Sequence, residues 1–318
     1  MEVEEENRKP IVDIHRAWHN SFSDLILNDT QPAENKPAAV NGIVASAFHD
    51  FLDEYVGFED SEMVMAGVRQ GRELRINLNA LHIRTNSMFD NGLAVLSERS
   101  RSKTLKLNRG DMHLKVIGPR MKELEDLRKK WKKDLPKIIA KKKQGKPAGK
   151  SEILKLDKSV ANLASIVLIA EVDKGTEDEK RILLTGDARG DKIIEWLKIA
   201  NELNEGVAHF DVIKLPHHGS DRNVDSNFFK TVTADHYIIS GNGGHGNPEP
   251  QIFEWLFKAR PQLNYKIHMT YSFDELKKSK SFEKHDNSKK LAIVIENAGA
   301  KNVFVMPKRG NDFIDITL

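Results

Sequence analysis

From about residue 159 onward the sequence predicts an α/β fold, on three observations. Short apolar runs alternate with amphipathic stretches, as expected when a sheet is covered by helices. Three of the apolar runs are followed at once by glycine and polar side chains: Thr185-Gly186-Asp187, Pro216-His217-His218-Gly219 and Ser240-Gly241-Asn242-Gly243. In open α/β sheets, polar groups just beyond the carboxyl ends of strands are where ligands collect.

The runs Ile166-Val167-Leu168-Ile169, Ile182-Leu183-Leu184 and Phe210 to Leu215 read as buried strands, as do His236 to Ser240 and Tyr265 to Met269. Helical spacing fits 191–203, 225–232 and 250–259, and the runs 291–296 and 303–306 are read as a closing pair of strands. Upstream, Leu105-Lys106-Leu107 and His113 to Ile117 flank Asn108-Arg109-Gly110-Asp111, the pattern of a hairpin. Spacings of three and four predict helices over 40–55 (Val40, Ile43, Val44, Phe48, Phe51, Leu52) and over 62–81. Residues 1–40 are polar and contain Pro10, Pro32 and Pro37, so this segment is expected to be loosely ordered. The predicted domain runs from 41 to 318, with a basic helix and linker inserted at 120–150.

That insertion, ending in Lys141-Lys142-Lys143-Gln144-Gly145-Lys146-Pro147, is a candidate contact for a phosphate backbone. A solvated surface helix explains it more simply, because Trp131 is its sole aromatic residue able to stack on a base. A net charge of +3 gives no global argument for nucleic acid. The chain has no cysteine, which excludes disulfides, thiolate metal sites and a cysteine nucleophile. No apolar run is long enough to span a bilayer, so no membrane partner is expected and the expected location is cytoplasmic.

Asp187 alone reads more simply as a helix N-cap than as a site carboxylate. The adjacent His217 and His218 must point in different directions, so at most one is expected to be a direct metal ligand. The loop Gly243-Gly244-His245-Gly246-Asn247-Pro248 lets backbone approach a ligand closely beside one imidazole, but its glycine spacing is not that of a dinucleotide fingerprint. Three such loops on successive strand–helix units point to a site more strongly than any one of them. Carboxylate with imidazole suits Zn²⁺ or Mn²⁺.

Leu184-Thr185-Gly186-Asp187-Ala188, Lys214-Leu215-Pro216-His217-His218-Gly219-Ser220, and Ser240 with Gly244-His245-Gly246-Asn247-Pro248 resemble the last three motifs of metallo-β-lactamase-fold hydrolases. The most similar branch holds the soluble domain of competence DNA-uptake proteins and its stand-alone relatives. Val160 to Leu168 resembles the strand leading into the Gly-Asp turn of that branch. Trp18-His19-Asn20-Ser21 and Val68 to Leu74 are similar to segments of the stand-alone relatives.

The resemblance implies an αββα sandwich with a dinuclear metal site that hydrolyses phosphodiester or nucleotide substrates with metal-activated water. It implies Asp187 as the bridging carboxylate and His218 as a ligand. His217, Ser220, His245 and Asn247 would lie on the substrate side. The family's His-x-His-x-Asp-His signature matches none of the twelve histidines. The expectation is therefore that Met1 falls after that motif and part of the first sheet is lacking. A second chain or an upstream segment would supply the motif, and the chain alone would bind Zn²⁺ or Mn²⁺ weakly. The rival expectation is a non-catalytic interaction or nucleic-acid-binding protein that retains a degenerate fold of this kind.

Overall fold

A computed structural model describes residues 14–20, 73–89, 92–96, 104–107, 111–126, 129, 165–307 and 314–318. The predicted helix over 40–55, more than half of that over 62–81 and most of the basic 120–150 insertion lie outside them. The chain divides into two compact units, 1–95 with 121–164, and 96–120 with 165–318.

In the first unit a helix covers 73–80, and β1 (Arg16–Ala17) pairs in parallel with β2 (Arg84–Thr85). Asn86, 1% exposed, ties this unit together. Its amide donates to the carbonyls of His19 (2.7 Å) and Gly92 (2.9 Å) and accepts from the His19 N–H (3.0 Å). Asn20 exchanges a similar reciprocal pair with the backbone of Ala94, both bonds 2.8 Å. These amides act as substitute backbone, satisfying peptide groups that no described strand pairs.

The second unit is α/β. Its sheet has eight strands among the described residues: β3 (Thr104–Lys106), β4 (Met112–Gly118), β5 (Val167–Val172), β6 (Lys180–Leu184), β7 (Ala208–Lys214), β8 (Val232–Ile239), β9 (Lys266–Met269) and β10 (Phe304–Val305). They lie in sequence order from β3 to β10. The pairs from β3 to β6 are antiparallel and those from β6 to β10 are parallel. The helices are α1 (Gly190–Ile199), α2 (Ser226–Thr231), α3 (Pro250–Ala259), α4 (Phe273–Leu276), α5 (Lys280–Glu283) and α6 (Asn287–Asn297).

The predicted hairpin, strands and first three helices appear close to their expected positions. The exception is 291–296, expected to be a strand, which lies inside α6. A short apolar run does not separate a buried strand from a helix by periodicity alone. Here Leu291, Val294, Ile295 and Ala298 fall on one helical stripe and pack on the core. The second expected strand is β10, which pairs in parallel with β9 instead.

Helices α1, α2 and α3 cover one face of the sheet. Ile193, Trp196 and Leu197 of α1, Phe228 and Phe229 of α2, and Phe253 and Leu256 of α3 join Ile169, Leu183, Ile213, Tyr237, Ile239 and Ile267 in one buried cluster. The opposite face is less covered: Leu168, Ile182, Lys214 and Ile238 are half-buried, and Leu184 is 39% exposed. In β7 and β8 the buried positions change parity midway, from Phe210 to Ile213 and from Ala234 to Tyr237. Strict alternation of buried and exposed positions therefore does not hold in these two strands. No helix among the described residues is long and apolar enough to cross a membrane.

Two packing details give measurable consequences. A Cβ built on Gly118 would lie 2.0 Å from Cε3 of Trp196, whose indole is fully buried. Neither backbone nor ring can yield by that much without opening the core. Gly118→Ala is expected to destabilise the protein by about 3 kcal/mol or more. An unchanged thermal midpoint would refute this packing.

On β8 and β9, His236 Nδ1 and His268 Nε2 are 2.8 Å apart, so one ring donates and the other accepts. Burial first, then the facing positive groups His236 and Lys266, pushes His268 down to about 4. Its folded value lies below the ordinary imidazole value, so the unfolded chain binds more protons as acidity rises. Stability contributed by neutral His268 is present above the ordinary value and is lost as pH falls toward 4. The thermal midpoint should drop between pH 6.5 and 5, and His268→Leu should flatten that drop. An equal slope in the variant would exclude His268 as its cause.

Candidate functional site

Parallel pairing sets Leu184, Lys214 and Ile238 in register on three neighbouring strands. The segments that follow therefore leave the sheet along one edge: Thr185 to Arg189 after β6, Leu215 to Ser220 after β7, and Ser240 to Glu249 after β8. All the sequence-predicted site residues lie in these three loops.

Asp187 is not a helix cap. Helix α1 begins at Gly190 and its N-cap is Arg189. The backbone of Asp187 is held on both sides instead. Its N–H donates to Ser165 Oγ (3.2 Å), and its carbonyl accepts from Asn223 Nδ2 (3.0 Å). The half-buried carboxylate itself has no hydrogen-bond donor among the described residues. A carboxylate whose peptide groups are fixed while its own oxygens stay open is arranged to meet a ligand or water.

After β7 the chain makes an unusual turn. His217 (φ 47°, ψ 46°) and His218 (φ 57°, ψ 22°) are both left-handed, and Gly219 follows at φ 80°. For residues with a Cβ this conformation costs roughly 1–2 kcal/mol each, so neighbouring loops must hold it. The His217 N–H donates to Gly186 O (3.1 Å), and His217 O accepts from the Ser220 N–H (3.1 Å) and from Asn247 Nδ2 (3.2 Å). The Glu249 N–H donates to Gly219 O (3.0 Å). Gly219 cannot be replaced without a clash, since an added Cβ would sit 2.9 Å from Pro248 Cβ.

The turn splays the two imidazoles, with ring centroids 6.2 Å apart and planes at 78°. His217 is the half-buried one and faces Asp187. Burial lowers its proton affinity; Asp187 and a hydrogen bond to the Asn223 side chain act in the opposite sense, while His218 and Lys214 reinforce burial. His218 is exposed, and its Nδ1 makes a short contact with the carbonyl of Ser240. Since a carbonyl only accepts, Nδ1 carries the proton and Nε2 presents a lone pair. That is the arrangement of a metal-ligating histidine oriented by a backbone carbonyl.

The remaining expected residues divide. His245 is exposed on the glycine-rich loop. Ser220 and Asn247 are buried and brace the loops: Ser220 Oγ donates to Glu249 Oε2 (3.2 Å), and Asn247 holds His217 O. Beside them, burial first and then Glu249 push the Asp221 carboxyl up. The glycine-rich loop is clamped from below, where Ser279 Oγ donates to Gly243 O (2.6 Å) and Asn287 Nδ2 to Gly246 O (3.0 Å).

Sequence reasoning missed Ser165, Lys214, Asn223 and Glu249. Lys214 lies inside the motif that was read, but a lysine ending a strand carries no signal of its own. Asn223 and Ser165 act through contacts to backbone that no spacing reveals. Among the described residues no group of three histidine, aspartate or glutamate side chains could hold a metal ion.

No protein-family model matches the sequence, and no curated protein or solved structure matches it significantly.

The site geometry predicts how His217 titrates. Its nuclear magnetic resonance midpoint should lie below that of a free imidazole, because burial disfavours the charged ring. Asp187→Asn should move it lower still, by removing the carboxylate that favours protonation. A midpoint unmoved by that substitution would show that the two side chains do not share a site.

Proposed function

We propose that this chain is part of a metal-dependent hydrolase of the metallo-β-lactamase type, an αββα sandwich that acts on phosphodiester or nucleotide substrates. The observation that carries the reading is the delivery of Asp187, His217-His218 and His245 to one sheet edge by three successive parallel strands, with His218 Nδ1 engaged and Nε2 left open. A donor-free carboxylate and an oriented imidazole fit a borderline cation such as Zn²⁺ or Mn²⁺. The set is partial, and further ligands must come from beyond the described residues, in this chain or a second one.

In this reading Asp187 and His218 Nε2 would hold the ion, which would supply Lewis acidity and an activated water. His217, kept neutral by burial, would take up and return a proton at its ring nitrogen. His245, exposed on its loop, meets the substrate from the far side. Asn223 and Ser165 keep the Asp187 backbone fixed so that its carboxylate need not reorganise.

Calorimetric titration of the chain with Zn²⁺ and Mn²⁺ tests the assignment. Binding should be weak, should vanish in Asp187→Ala, and should fall more in His218→Ala than in His217→Ala. Hydrolysis of a generic phosphodiester should follow the same order. Metal affinity indifferent to both Asp187 and His218 would sink the reading. It would leave the rival, a non-catalytic binding protein.

A further inference from the structure

The site contains a cation that no motif assigns. Register places Lys214 between Leu184 and Ile238 on the same sheet face, in strands about 4.8 Å apart. Its stem runs between these two apolar neighbours, and its ammonium emerges at the strand end beside the Gly186-Asp187 turn. This is how a long basic side chain buries its methylenes while keeping its charge at an opening. The Nζ donates to Gly186 O at 3.0 Å.

An ammonium has three N–H donors. Here one is engaged, by a neutral carbonyl, and no carboxylate of a described residue forms an ion pair with it. Burial lowers its proton affinity, with the charge of Asp187 acting in the opposite sense. Gly186 O also accepts from the His217 N–H (3.1 Å), so Lys214 meets the His217 backbone at the carbonyl that precedes Asp187. Its bond to Gly186 O lies at an exposed position and leaves two donors unassigned at the opening of the strand end.

We infer that Lys214 is the group that takes an anionic, non-bridging phosphoryl oxygen of the substrate at this edge. The inference rests on the hydrolase reading and adds to it a substrate contact, independent of the metal. A compact ammonium binds phosphoryl oxygen as a point charge. It would also offset negative charge that grows on that oxygen during attack by water.

The test is a titration of the full chain with inorganic phosphate in chelator-treated, metal-free buffer, followed by calorimetry and by phosphorus resonance. The variants are Lys214→Met, which keeps the stem and removes the charge, and Lys214→Arg, which keeps the charge. The expected result is measurable phosphate binding by the wild type, weakened about tenfold or more by Lys214→Met and retained within about threefold by Lys214→Arg. The same phosphate titration, read on the ε-carbon signal of Lys214 in the wild-type protein, should shift that signal, so the test survives if Lys214→Met does not fold. Three outcomes would each overturn the inference: no phosphate binding by the wild type, equal affinity in Lys214→Met, or a Lys214 signal that does not respond. Because no metal is present, failure here is separate from failure of the hydrolase reading, which rests on metal titration. Phosphate binding through Lys214 without any metal binding would keep this inference and remove the other.

Discussion

Everything at the candidate site depends on the level ending of three parallel strands. Leu184, Lys214 and Ile238 lie side by side, so the loops that follow leave the sheet at one height and can hydrogen-bond to one another. They do so extensively. Thr185 Oγ1 donates to Lys214 O (2.6 Å), the Leu215 N–H donates to Ile238 O (2.8 Å), and the His217 N–H donates to Gly186 O. A slip of one residue in any of these ladders would reverse the faces of Lys214 and its neighbours. It would also separate Asp187 from His217. The core beneath, with Ile213, Tyr237 and Ile239 locked under α2 and α3, makes such a slip costly.

The left-handed turn at His217 and His218 shows how that rigidity is used. Two β-carbon-bearing residues stay in a disfavoured conformation because two other loops hold them, Gly186 O accepting from the His217 N–H and Asn247 Nδ2 donating to His217 O. Backbone held this way tends to mark positions where chemistry requires a fixed geometry. The imidazoles gain distinct environments from it. One is half-buried against a carboxylate and the other is exposed with a defined tautomer, although the two are neighbours in sequence with the same side chain.

Much of the architecture was legible in the sequence because its signals are local. Apolar runs such as Ile182-Leu183-Leu184 and the helical spacing in Pro250–Ala259 are set by nearest neighbours and by burial on one face. What escaped was set by distant partners. The apolar run starting at Leu291 is compatible with either strand or helix, and packing on the core decides for helix. The parity change in β7 and β8 occurs in both strands at once, so neither strand alone announces it. At the site, the positions of Asp187, His218 and His245 could be read from their motifs. The bracing roles of Ser220 and Asn247, and the presence of Asn223 and Ser165, arise from contacts between loops far apart in the chain. The resemblance to metallo-β-lactamase-fold hydrolases rests on sequence motifs alone, since no comparison with known proteins adds to it.

The glycine-rich loop that carries His245 has its floor supplied by Ser279 and Asn287, more than thirty residues later in the chain. Synthesis runs from the amino terminus, and the strands β6, β7 and β8 with their adjoining loops have all emerged before those two side chains exist outside the ribosome. The loop can acquire its two clamping donors only after residue 287 is released. The edge holding Asp187 and the paired histidines can thus form while its third wall is still unset. Completion of the site is in this way tied to release of a segment that follows all three of its strands.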